Sequence, residues 1–95
     1  MNLEFEWDKK KNDANLKKHG ISFESVKNVF SDRNRVNAQD NRKNYGEPRW
    51  NTIGNVNGII IHVSYTVRGD LFRLISARKA SKKERECYYA CQNNS

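Results

Sequence analysis

Proline is almost missing from this chain: Pro48 is the only one in 95 residues, accompanied by one methionine, two cysteines and two histidines. Each scarcity removes a class of protein. Cys87 and Cys91 lie four apart in one helical pattern, and without a second cysteine pair there is neither a disulfide framework nor a four-thiolate zinc site. They read as reduced thiols that share a small, partly buried helix face. A metal would have to recruit His19 and His62, and the acids are scattered, with no two His, Asp or Glu at ligand spacing in a regular element. No metal and no cofactor is expected. Long hydrophobic runs are missing too: no apolar stretch follows Met1 and none approaches membrane-spanning length, which points to a cytoplasmic protein. Also lacking are a Gly-x-Ser-x-Gly elbow, a phosphate-binding glycine loop and a cysteine next to a histidine.

What the chain has in abundance is positive charge. Eighteen Lys and Arg against eleven Asp and Glu give a formal net charge of +7, the footprint of a protein that meets phosphate polyanions or an acidic partner. The charge is concentrated: residues 67–85 hold seven of the basic side chains and only Asp70 and Glu84 among the acids. Hydrophobic residues, at 36%, barely outnumber the 31% that are charged, so the core is thin and most elements keep one wet face. The length leaves room for one core, hence a single domain over 1–95.

Periodicity supplies the elements. Leu3 to Trp7 alternates apolar and acidic residues, the period of a half-buried strand. Asp8 is placed to N-cap a helix through Asn15 and Leu16 to about residue 18, with Gly20 as its left-handed stop. Ser22 caps a second short helix in which Phe23, Val26, Val29 and Phe30 form one stripe. Residues 31–48 are almost wholly polar and predict an exposed, mobile loop with at most one short strand near residues 35–38. Strand character returns at 49–56, and Asn57-Gly58 signals a two-residue hairpin. In the next strand Ile59, Ile61, Val63, Tyr65 and Val67 share one face, and Ile60, His62, Ser64, Thr66 and Arg68 the other. Arg68-Gly69-Asp70 turns the chain into a last strand over about 71–79. There Arg73 and Arg78, an odd number apart, face opposite sides unless a bulge intervenes. Ser81-Lys82-Lys83-Glu84 fits a capping box, and the helix it opens turns Cys87, Tyr88 and Cys91 inward before fraying over 92–95. The order predicts an α+β fold, a small antiparallel sheet packed against N-terminal helices with a C-terminal helix.

A basic domain with arginines on an open sheet face suits one reaction well: cleavage of RNA by attack of its own 2′-hydroxyl on the adjacent phosphate. The substrate brings the nucleophile. The protein has to move two protons and stabilise the phosphorane, and Arg49, Arg73 and Arg78 offer planar forks that match phosphate oxygens. Glu47 is a candidate base or an arginine partner. Tyr65 and the cations Lys79, Lys82 and Lys83 are candidate RNA contacts. A non-catalytic basic nucleic-acid-binding module is the alternative, and a subunit of a ribonucleoprotein a third class. His62, mid-strand between two apolar residues, reads as a structural sheet histidine.

These residues occur in a recognisable order. Phe5-Glu6-Trp7-Asp8, Asn15-Leu16-Lys17-Lys18-His19-Gly20 and Ser22-Phe23-Glu24 are followed by Gly46-Glu47-Pro48-Arg49, Gly54 and Tyr65-Thr66-Val67-Arg68-Gly69. Arg73-Leu74-Ile75-Ser76-Ala77-Arg78-Lys79-Ala80, Glu84-Arg85 and Tyr88 complete the series. The chain resembles the BrnT-family toxins from about Phe5 to Tyr89. The resemblance implies a RelE-like fold, a ribonuclease activity that arrests translation, and a BrnA-like ribbon-helix-helix antitoxin. That antitoxin would form a hetero-oligomer with the toxin and bind operator DNA. Onto this sequence it carries Lys18 and His19, Glu47 and Arg49, Arg73, and Arg78 with Lys79, His19 being a candidate for proton transfer or RNA contact.

Overall fold

A computed structural model of the chain describes residues 4–41 and 46–93, with side chains as far as residue 91. Strand β1 (Glu4–Trp7) leads into helix α1 (Lys9–His19). The helix begins where the Asp8 carboxylate accepts the amides of Lys10 (2.7 Å) and Lys11 (3.2 Å). It stops at Gly20, whose φ of 71° lets its N–H reach the Leu16 carbonyl at 2.8 Å. Ser22 caps α2 (Phe23–Val26), which is shorter than its stripe suggests: after one α turn the chain tightens into a 3₁₀ segment, Lys27–Ser31. The stripe survives the change, with Phe23, Val26, Val29 and Phe30 all buried, because residues three apart share a face in either helix.

Four strands follow and precede the last helix: β2 (Val36–Asp40), β3 (Arg49–Val56), β4 (Ile59–Arg68) and β5 (Leu71–Lys79), with α3 (Lys82–Asn93) closing the chain. Asn57 (φ 53°) and Gly58 (φ 89°) make the β3–β4 hairpin turn. β2 is the short strand expected in the polar stretch. Residues 42–45 of that stretch lie outside the described residues, as do Leu3 of the first expected strand and the chain end at 94–95. The sheet order is β1-β5-β4-β3-β2, and β1 runs parallel to β5, so the sheet is mixed and not antiparallel as its hairpins suggested. The reason is that no hairpin joins β1 to β5. Its register instead matches apolar with apolar, Phe5 opposite Phe72 and Trp7 opposite Leu74, on the side that meets the helices.

That side is the core face. Val63, Tyr65, Leu74 and Ala77 pack on Phe23, Val26, Val29 and Phe30, with Trp7 and Trp50 at the margin. Phe30 stacks on Phe72 at 5.2 Å and meets Tyr65 edge-on at 5.1 Å. Gly54 lets the 3₁₀ segment approach the sheet, since a Cβ there would lie 2.9 Å from Val29 Cγ1.

The opposite, polar face is only half covered. The capping box forms as read: Glu84 accepts the Ser81 amide at 2.8 Å and Ser81 Oγ accepts the Glu84 amide at 3.2 Å. The helix it starts places Tyr88 against Ile60 and Ala80, with Val36 and Ile53 alongside. Tyr88 donates its hydroxyl to Asp32. The cysteines do not join it. Cys87 and Cys91 are exposed, because Tyr88 supplies the buried apolar contact of α3 with the sheet, which corrects the expectation of a buried thiol face. The helix continues through Asn93, past the expected start of fraying at 92. Among the described residues no helix is long and apolar enough to cross a membrane.

Candidate nucleic-acid interface

The arrangement of the polar face depends on one irregularity. Tyr65 pairs with Leu74 but its neighbour Ser64 pairs with Ser76, which leaves Ile75 as an extra residue in β5. The bulge reverses the alternation of β5, so Ala77 enters the core next to Val63 while Arg78 faces the same way as Arg73. The two arginines, which strict alternation would separate, therefore share the polar face. The bulge is held from α1: the Asn15 side chain, 7% exposed, accepts the Ala77 amide at 3.1 Å and donates to the Ile21 carbonyl at 3.0 Å.

Strand register places Glu6 beside Arg73, Arg73 beside Thr66, and Arg49 beside Asp40 on this face. Between these groups and α3 lies a polar strip of Asn51, Ser64 and Ser76, in which Ser64 Oγ bonds Asn51 Oδ1 at 2.9 Å. The arginines come with carboxylates. Arg73 Nη1 meets Glu6 Oε2 at 2.5 Å. Arg68 grips Glu47 with two bonds of 3.0 and 3.2 Å. Arg78 grips Glu84 with two of 2.7 and 3.0 Å. Such bidentate pairs fix the plane of the guanidinium, the fork geometry that also matches a phosphate.

The hydrogen bond from Arg68 holds the Glu47 carboxyl below the ordinary carboxylate value, against a smaller upward push from burial; Arg49 and Arg73 add to the lowering by charge alone. Glu47, Arg68, Arg49 and Arg73 thus form one electrostatic cluster at the open end of the face. At the other end Glu84 is lowered to about 2, first by the Arg78 hydrogen bonds, with the Ser81 amide and nearby His62 contributing. His62 Nε2 stands 3.7 Å from Glu84 Oε2. Arg78 accordingly does structural work, tying α3 to β5.

Sequence reading named Arg49, Arg73, Arg78 and Glu47, and the fold brings these four to one face. Lys82 and Lys83 lie exposed in the first turn of α3, beside that face, whereas Lys79 at the end of β5 is exposed but pairs with Ile61 and takes the phase of Ala77, on the other side of the sheet. Lys18 and His19 lie elsewhere, in a cleft where α1 meets the bulge. Tyr65 is 3% exposed, its ring in the core and its hydroxyl on Asn37, so it presents no ring face to RNA as had been expected. Glu6, Arg68 and Glu84 were missed as site residues. Glu6 was detectable as the residue opposite in phase to Phe5 and Trp7, and Arg68 by its position on the polar face of β4. The reach of Glu84 across six residues to Arg78 leaves no sequence signal.

Among the described residues no three His, Cys, Asp or Glu side chains cluster as a metal site. No individual curated protein matches the chain. A family model described as "Ribonuclease toxin, BrnT, of type II toxin-antitoxin system" matches residues 7–84. That span runs from the last residue of β1 to the carboxylate that anchors α3 and takes in Arg49, Arg68, Arg73 and Arg78, so the chain belongs to the BrnT family of ribonuclease toxins.

Proposed function

We propose that the protein is a metal-independent endoribonuclease that lays single-stranded RNA across the open half of its polar sheet face and cleaves it by 2′-hydroxyl attack. The observation that carries this reading is the β5 bulge, which sets Arg73 and Arg78 on the face that also holds Arg49 and Arg68. A phosphate over this face meets guanidinium donors already oriented by carboxylates, so little reorganisation accompanies the growth of charge on the phosphorane. Arg73 and Arg49 stabilise that charge, while Arg68 extends the field toward the next phosphate.

Glu47, gripped by Arg68 and close in field to Arg49 and Arg73, is assigned to accept the 2′-hydroxyl proton as the 2′-oxygen bonds to phosphorus. The P–O5′ bond breaks and the leaving 5′-oxygen takes a proton from water. The lowered proton affinity of Glu47 makes it a weak base that stays ionised at neutral pH, so charge stabilisation supplies more of the rate than proton abstraction does. Membership of a toxin-antitoxin family supports an antitoxin partner, and its identity is part of the proposal. A BrnA-like ribbon-helix-helix antitoxin neutralises the protein in the cytoplasm, in a hetero-oligomer that binds operator DNA through the antitoxin. Lys82 and Lys83 extend the positive field beside the face, and Lys79 adds to it from the strand end.

The test is induced expression in a bacterial host without antitoxin. The native chain arrests growth, and Arg73→Ala and Arg49→Ala variants shown to be folded do not. A native chain that leaves growth unaffected contradicts the ribonuclease reading and favours the non-catalytic nucleic-acid-binding module.

A further inference from the structure

The extra residue in β5 does more than rephase the strand. Ile75 forms one wall of a cleft of about 280 Å³, completed by Lys11, Ala14, Asn15, Lys18 and His19 of α1 and by Ser76. No carboxylate lines it. The contrast with the sheet face is chemical: Arg68, Arg73 and Arg78 each hold an acid, whereas Lys11 and Lys18 form no ion pair among the described residues. Two exposed lysines without counter-charge in a cleft that Ala14 and Ile75 also line suit a group that carries both negative charge and a flat apolar face.

The cleft and the polar strip of the sheet share one residue. Ser76 belongs to both, pairing with Ser64 on the sheet and lining the cleft, and it follows Arg73 on the same strand by three residues. An RNA strand bound at Arg73 and continuing along β5 arrives here with its next nucleotide. We infer that the cleft between α1 and the β5 bulge is a subsite for the nucleotide flanking the cleaved bond, its base against Ala14 and Ile75 and its phosphates on Lys11 and Lys18. This inference rests on the ribonuclease reading and adds the place where substrate length is sensed.

Binding is measured by fluorescence anisotropy with 2′-O-methyl RNA of mixed sequence, two to five nucleotides long, at several salt concentrations. In the native protein affinity rises when the oligonucleotide is long enough to enter the cleft. Ala14→Trp, which fills the cleft from an exposed helix position, removes that rise, about tenfold for one lost base contact. Lys11→Ala and Lys18→Ala flatten the salt dependence by roughly 0.7 in log–log slope for each lysine. Both lysines are exposed on α1, so these variants decide the matter if the tryptophan variant fails to fold. A length dependence and slope equal to the native values in all three variants overturns the inference. So does an Ala14→Trp protein that binds RNA normally but has lost a purified antitoxin, since the cleft is then the partner's. A protein that shows the expected slopes and length dependence yet cuts no RNA keeps the cleft and loses the ribonuclease reading.

Discussion

Replacing Glu84 by glutamine separates the charge of this carboxylate from its shape. Glutamine keeps a carbonyl oxygen for the Ser81 amide but gives up the ionic part of the grip on Arg78 at 2.7 and 3.0 Å. In the folded protein Glu84 titrates at about 2, against an ordinary 4.5. The folded value is the lower, so the unfolded chain binds more protons between the two, and the stabilisation is fully present above 4.5 and is lost as pH falls toward 2. At 1.36 kcal/mol per pH unit that gap bounds the contribution at roughly 3 kcal/mol. The Arg78 side chain is 42% exposed and that of Glu84 23%; solvent screening at such a pair brings the expected loss to about 1–2 kcal/mol. Urea unfolding followed by the fluorescence of Trp7 and Trp50, both packed against the core, measures it. At pH 7 the variant unfolds at lower urea, and the difference closes as the pH approaches 2. A variant as stable as the native chain at pH 7, or a difference that persists undiminished at pH 2, refutes the account of how α3 is anchored.

Asn15→Ala leaves the Ala77 amide and the Ile21 carbonyl without their buried partner. It is expected to cost about 2–3 kcal/mol and to lower RNA cleavage as β5 loses its rephasing, both read from unfolding curves and cleavage rates of the same preparation. Gly54→Ala puts a Cβ 2.9 Å from Val29 Cγ1 and 3.2 Å from the Val29 carbonyl. Because backbone must shift to relieve it, a loss of about 1–3 kcal/mol is expected in thermal or urea unfolding. Tyr65→Phe removes only the hydroxyl that bonds Asn37 inside the fold; it costs about 1 kcal/mol and leaves cleavage kinetics unchanged, whereas a fall in kcat at unchanged folding would place the hydroxyl at the substrate.

The local signals were the legible ones. Asp8, Gly20, Ser22, the Asn57-Gly58 turn and the Ser81–Glu84 box all act over four residues or fewer, and each falls where the side-chain chemistry puts it. The parallel pairing of β1 with β5 was not legible, because it joins segments some 67 residues apart through packing and not through a turn. The phase of β5 was hidden for a related reason: Arg73 to Arg78 reads as unbroken alternation, and the residue that permits the bulge, Asn15, lies on another element. The same distance effect explains the site. Arg49, Arg73 and Arg78 could be named from charge and strand position, and Glu6 by its phase, but the pairing of Glu6 with Arg73 and of Glu84 with Arg78 could not. The burial of Tyr65 was not legible because a tyrosine in an alternating strand serves the core or the surface equally well until Asn37 is seen to receive its hydroxyl.

The most direct test of the central claim is cleavage of RNA by the purified protein, free of antitoxin, in excess chelator. The native substrate is compared with one carrying 2′-deoxy sugars throughout, and the native protein with folded Arg73→Ala. Cleavage in chelator that leaves 2′,3′-cyclic phosphate ends, spares the deoxy strand and is lost with Arg73 is the outcome predicted. Cleavage that chelator abolishes, or that cuts the deoxy strand equally well, contradicts it.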